Sequence, residues 1–159
     1  MITENSKVDG KLTGTLVSSD NPEGSKIQLK DLWKDRPVIL FFYPKDNTPG
    51  CTTEAQNFRD SLGDITKSGY TIVGISRDNV KSHCKFIDKQ ELNFSLLSDE
   101  TGEISEFFGV WVEKSMYGKK YMGIQRSTFI IGKGKVIKSY EKVKVKEHAQ
   151  EILDYIRQT

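Results

Sequence analysis

Six consecutive residues, Val38-Ile39-Leu40-Phe41-Phe42-Tyr43, form the longest strongly apolar run of the chain, and Pro44 ends it. A run this short, rich in β-branched and aromatic members, reads as a buried strand in the middle of a sheet rather than as a helix. The residues after it predict a helix. Thr48 is the expected N-cap, Pro49 suits the first helical position, and Phe58, Leu62 and Ile65 recur at helical spacing between Cys51 and Lys67 before Gly69 stops the pattern.

The same alternation continues along the chain. A short strand is expected around Ile27 to Leu29 and another over Tyr70 to Ser76. Asp78 then caps a helix ending near Lys89, whose Val80, Cys84 and Ile87 face inward. Thr101 to Phe108 reads as a short helix, and Ser127 to Ile131 with Val136 to Tyr140 as a β-hairpin. Ala149, Ile152, Leu153 and Ile156 make Lys146 to Arg157 an amphipathic closing helix. Strand–helix alternation favours parallel neighbours and the hairpin adds antiparallel ones, so the fold class is α/β, a central mixed β-sheet flanked by helices. Phe41 and Phe42 belong to its core. No repeat, low-complexity tract or linker divides the 159 residues, and residues 1–159 are expected to form one domain.

Charge and hydropathy exclude several classes of function. Lysine and arginine number 24 against 22 acidic residues, a net charge of +2, too small for a nucleic-acid or anionic-membrane binder. No stretch approaches the roughly 20 apolar residues of a membrane helix. Met1 to Gly10 is polar and carries Glu4 and Asp9, unlike a secretory leader, so a cytoplasmic location is expected. There the two cysteines, Cys51 and Cys84, would remain reduced rather than serve as a structural staple.

The string from Tyr43 to Glu54 carries the chemistry. With Thr48 as cap, Cys51 occupies the third helical position, where unpaired backbone N–H groups and the positive end of the helix dipole favour a thiolate. An ordinary thiol, with a pKa of about 8.5, is a few per cent ionised at neutral pH; helix N-termini and nearby cations bring such groups to about 3.5 to 7.5. Cys51 reads either as a nucleophile or as a small buried hydrophobe at a strand-to-helix junction. Pro44 and Pro49 stiffen the loop, Gly50 leaves room for a small molecule, and the Thr48 hydroxyl can orient a substrate oxygen or accept a backbone N–H. Cys84, in line with Val80 and Ile87, is explained by core packing alone. Arg126 alone reads as a surface arginine, and Arg59 as solvated or paired with an acid.

Pro44-x-x-x-Thr48-x-x-Cys51, within FFYPKDNTPGCTTE, resembles the active-site motif of peroxiredoxins, and specifically the peroxiredoxin Q or bacterioferritin comigratory protein subfamily. LLSDETGEISEFFGVW and RSTFIIGKGKVIKSYEKVKVKEHAQEIL are similar to the same subfamily, so the likeness runs from about Val8 to Arg157. The resemblance implies a thioredoxin-like fold with Cys51 as the peroxidatic cysteine. It further implies that Thr48 and Pro44 shape the pocket, that Arg126 lies beside the sulfur, and that Glu54 is a motif position. It also implies a thiol peroxidase acting on hydrogen peroxide and small alkyl hydroperoxides, recycled by a thioredoxin- or glutaredoxin-like dithiol, without metal or organic cofactor, and as a monomer.

Many relatives carry a resolving cysteine five residues after the peroxidatic one, where this chain has Gln56. Cys84 is the expected resolver, as in some members of the subfamily; the alternative is a one-cysteine enzyme resolved by an external thiol. A bridge between helices packed on one sheet requires local unfolding, because a disulfide tolerates Cα atoms no more than ~7 Å apart. It would close 33 positions and constrain the denatured chain by about 3 to 4 kcal/mol.

Rival chemistries fail on spacing. A dithiol reductase needs Cys-x-x-Cys, yet Thr52, Thr53 and Glu54 follow Cys51; a cysteine phosphatase needs an arginine where Asn57 stands. A zinc site from Cys51, Cys84, His83 and His148 lacks paired ligand spacing. The non-enzymatic alternative, a thioredoxin-fold binding or chaperone module, leans on Lys133, Lys135, Lys138, Lys142, Lys144 and Lys146. Those lysines are better read as the wet face of an edge hairpin, where they discourage strand-to-strand association.

Overall fold

The computed structural model describes residues 1–158. In chain order its strands are β1 (Thr13–Ser18), β2 (Asn21–Gln28), β3 (Val38–Phe42), β4 (Thr71–Ser76), β5 (Ser95–Ser98), β6 (Trp111–Met116), β7 (Lys119–Ile124), β8 (Ser127–Gly132) and β9 (Lys135–Tyr140). The helices are α1 (Pro49–Lys67), α2 (Val80–Gln90), α3 (Glu103–Phe108) and α4 (Val145–Arg157), with a 3₁₀ turn at Leu29–Trp33. Seven strands form a mixed sheet in the order β2-β1-β5-β4-β3-β8-β9, and β6 with β7 forms a separate hairpin. β3 is central, parallel to β4 and antiparallel to β8, as its apolar run predicts.

Every residue of β3 is buried, and successive side chains enter opposite cores. Ile39, Phe41 and Tyr43 pack with α1, α2 and α4; Val38, Leu40 and Phe42 pack with α3 and the 3₁₀ turn. Phe41 stacks on Phe58 of α1 with ring centroids 4.8 Å apart. At each buried aromatic roughly 1.5 to 3 kcal/mol of transfer free energy favours this placement. Gly74 makes room for it, because a Cβ there would lie 2.6 Å from Phe41 Cζ.

Three expectations change. The N-cap of α2 is Asn79, whose side chain accepts from the Ser82 N–H at 2.8 Å, while the Asp78 carboxylate turns back to the Ser76 hydroxyl at 2.6 Å and the Asp46 N–H at 2.8 Å. The buried face of α2 is His83, Phe86 and Ile87, so Cys84 is half-buried at the margin of that core. The strand expected at Ile27 to Leu29 is the end of the longer β2, and Leu29 opens the 3₁₀ turn. β1, β5 and the β6–β7 hairpin add to the pattern read from the sequence. Lys135 and Lys138 do lie on the outermost strand, but backbone bonds from Asn5 and Val8 to Val136 and Gly134 partly cover that edge; Lys146 belongs to α4. Among the described residues no helix is long and apolar enough to cross a membrane.

Candidate active site

The junction from β3 to α1 builds the site. Tyr43 is buried, the chain turns through Asn47 in the left-handed region (φ 61°), and Thr48 takes the extended conformation of an N-cap. Its hydroxyl does not cap the helix. It donates to the Lys45 carbonyl at 2.8 Å, closing the loop, while the Thr48 carbonyl accepts the first helical bond from the Thr52 N–H at 2.8 Å. Cys51 is then the third helical residue, 2% exposed, and no acidic residue occupies the first turn to compete for the positive helix end.

Arg126, in the turn between β7 and β8, reaches this helix end from 75 positions away in sequence. Its Nη2 donates to Cys51 Sγ at 3.2 Å and its Nη1 to Glu54 Oε1 at 2.6 Å. Cys51 and Glu54 are three residues apart and share a helix face, so one planar fork serves both. Burial opposes the guanidinium charge, but attraction to Glu54 and Cys51, with hydrogen bonds to both, outweighs it and raises the Arg126 pKa. Glu54 shows the opposite balance. Its carboxyl is 1% exposed with Oε2 unpartnered, and burial pushes its pKa up to about 7 although Arg126 draws it down. Gly50 permits the close approach, because a Cβ there would lie 3.3 Å from Arg126 Nη2.

Thus Cys51, Thr48, Glu54 and Arg126 meet at the start of α1. Pro44 lies exposed on the loop leading to it. Pro49, Gly50, Thr53, Asn57, Val145 and Lys146 line an open depression of about 520 Å³ beside the site. Both thiols are free; Cys51 belongs to the core that α1, α2 and α4 share, and Cys84 packs at its margin. Gln56 ties α1 to α2, donating to Gln90 Oε1 at 2.8 Å. Arg59 pairs with Asp60 at 3.0 Å and donates to the Gln90 carbonyl at 2.7 Å, away from the sulfur. His83 and His148 are engaged separately, by Asp46 and by Thr128 with Glu151. Lys114, on the polar β6–β7 hairpin, escapes sequence reading; burial and the Arg126 charge lower its pKa against the attraction of Cys51, so a second cation stands within electrostatic reach.

Residues 11–140 match the AhpC/TSA family. The chain is 47% identical over 135 residues to the peroxiredoxin Bcp of Bacillus subtilis, covering 84% of this chain and 85% of that one. It is 47% identical over 117 residues to the peroxiredoxin Bcp of Xanthomonas campestris, 73% of each. The fold superposes with a TM-score of 0.84, at 39% identity and covering 94% of this chain and 92% of the other, on the Xanthomonas campestris bacterioferritin comigratory protein, a structure solved to address its alkyl peroxide reduction activity. With this site at the β3–α1 junction, the chain belongs to the AhpC/TSA family and, within it, to the peroxiredoxins of the Q or bacterioferritin comigratory type.

Proposed function

We propose that the protein is a thiol peroxidase in which Cys51 reduces hydrogen peroxide and small alkyl hydroperoxides and Cys84 resolves the product. The Arg126 fork, shared between Cys51 Sγ and Glu54, is the observation that carries the reading. A guanidinium N–H on the sulfur and the helix N-terminus behind it both favour negative charge there. The thiolate attacks one peroxide oxygen, the O–O bond breaks, and the second oxygen leaves as hydroxide or alkoxide and takes a proton, giving a Cys51 sulfenic acid and water or alcohol. Arg126 stabilises the charge that passes from sulfur to the leaving oxygen. The Thr48 hydroxyl has its proton committed to Lys45, which leaves its oxygen as an acceptor for a peroxide O–H.

The Cys84 thiol then condenses with the sulfenic acid, releasing water and forming the disulfide, and a thioredoxin- or glutaredoxin-like dithiol returns both thiols. The proposed setting is a cytoplasmic monomer. Peroxide consumption by Cys51→Ser and Cys84→Ser variants tests this directly. Cys51→Ser should have no turnover, and Cys84→Ser should consume about one equivalent and then stall or overoxidise. Full thioredoxin-supported turnover by Cys84→Ser would instead establish a one-cysteine enzyme resolved by an external thiol.

A further inference from the structure

We propose that Asp46 and His83 are positioning residues for this cycle: their buried pair latches the loop before Cys51 to the helix bearing Cys84, and its opening sets the rate of disulfide formation. The proposal rests on the peroxidase reading above.

Asp46 lies in the loop between β3 and α1, five residues before Cys51, and His83 directly precedes Cys84 in α2. His83 Nδ1 is 2.8 Å from Asp46 Oδ2, with both side chains at 1% exposure or less. The same Oδ2 accepts from the Ser82 hydroxyl at 2.8 Å, and Oδ1 accepts from the Tyr43 hydroxyl at 2.6 Å. On its other side His83 Nε2 faces the Leu97 carbonyl of β5 at 3.2 Å. His83 therefore bridges Asp46 of the β3–α1 loop and Leu97 of β5 through its two ring nitrogens. Burial, followed by the Asp46 charge, raises the Tyr43 pKa, which keeps the phenol a donor. The Asp46 N–H, bonded to Asp78 Oδ2 at 2.8 Å, completes the connection.

This network joins the two cysteine-bearing segments. Cys51 Sγ is turned to Arg126 just before β8, whereas α2 packs mainly against β1, β2 and β5 and meets α1 more sparsely, with Gln56 donating to Gln90 Oε1. In the proposed latch at least one segment leaves its place before the bridge forms, because a disulfide needs its Cα atoms within ~7 Å and both cysteines stand in packed helices. Cys84 cannot travel far without drawing His83 from Asp46, because the two are adjacent. Removing one member of this buried pair leaves the other a buried polar group without its partner, whereas opening to water rehydrates both. The latched state therefore presents Cys51 to peroxide beside Arg126, and the open state presents its sulfenic acid to Cys84.

Single-turnover stopped-flow with one equivalent of hydrogen peroxide, with dimedone trapping of the sulfenic acid and mass mapping of the disulfide, tests the latch in the full chain. In the wild type the trap must label Cys51 and the bridge must join it to Cys84. Absence of the label removes the peroxidase reading and the latch together; a label without that bridge leaves a peroxidase and overturns the latch alone. Asp46→Asn should slow sulfenic acid formation and speed disulfide formation, each by roughly ten-fold. Ser82→Ala, which removes one donor from Oδ2, should move both rates the same ways by about two- to five-fold, and His83→Gln, which retains one donor, should fall between. A merely structural role lowers both rates together. Parallel loss, or no change in either rate, overturns the proposal, and Ser82→Ala decides by the same criterion if Asp46→Asn does not fold.

Discussion

Replacing Glu54 with glutamine removes a carboxyl whose ionisation the native fold resists. The side chain is 1% exposed, Oε1 is held by Arg126 at 2.6 Å, and Oε2 has no partner. Burial dominates, and the pKa moves from the ordinary 4.5 to about 7. At 1.36 kcal/mol per unit this shift corresponds to about 3 kcal/mol. Between those values the native chain holds a proton that the unfolded chain has released, so this component of stability is fully present below about pH 4.5 and is lost as pH rises through 7. Glutamine has the same shape and no such titration. The stability of Glu54→Gln relative to wild type should therefore grow by about 3 kcal/mol between about pH 4.5 and pH 8 and then level. Urea unfolding of the reduced proteins, followed by far-UV circular dichroism across that range, measures the difference. In a chain this size it corresponds to a relative gain of roughly 6 to 12 °C in melting temperature. Parallel pH profiles, or a gap that closes as pH rises, would refute the reasoning.

Two further substitutions probe the site and its support. Arg126→Lys replaces a fork that reaches Sγ and Oε1 together with a single ammonium, and should slow sulfenic acid formation by roughly 10²- to 10³-fold in stopped-flow; a change under about two-fold would contradict the role given to the guanidinium. Gly74→Ala would place a Cβ 2.6 Å from Phe41 Cζ and 2.9 Å from Leu96 Cδ2, inside a closed core. It should lower unfolding free energy by about 1 to 3 kcal/mol, read as a lower urea midpoint, and an unchanged midpoint would show that Phe41 has room to move.

The elements legible in the sequence are those whose physics is local. β3 declared itself by six apolar residues, and the helical position of Cys51 by Thr48 and Pro49. Hairpin β6–β7 lacked such a signal, because Glu113, Ser115, Met116 and all of Lys119–Met122 are exposed and no buried face imposes alternation. Asp78 and Asn79 are equally good caps by type; a contact with Asp46 of another segment decides between them. The apolar positions Val80, Cys84 and Ile87 suggest one inward face for α2, yet His83 is fully buried with Phe86, because Asp46 from the β3–α1 loop meets its Nδ1 at 2.8 Å. Arg126 reaches Cys51 across 75 positions, a distance no local periodicity reports, and only family resemblance pointed to it.

The place of Cys84 along α2 also decides how much of the fold resolution must disturb. Phe86 and Ile87, further along the helix, are 0% and 4% exposed, and releasing both would cost about 3 to 6 kcal/mol of burial alone. That would confine a fully detached α2 to a fraction on the order of 10⁻² to 10⁻⁴ of molecules. Unwinding only from Asn79 through Cys84 sacrifices the cap bond to Ser82 and the contacts to Asp46, while Phe86 and Ile87 stay seated in the core. Full detachment loses those same contacts and the burial of Phe86 and Ile87 besides, so partial unwinding is the more populated route. If Cys84 resolves the sulfenic acid as proposed, its place in the second turn of α2 means the expected rearrangement unwinds the start of that helix and leaves Phe86 and Ile87 seated.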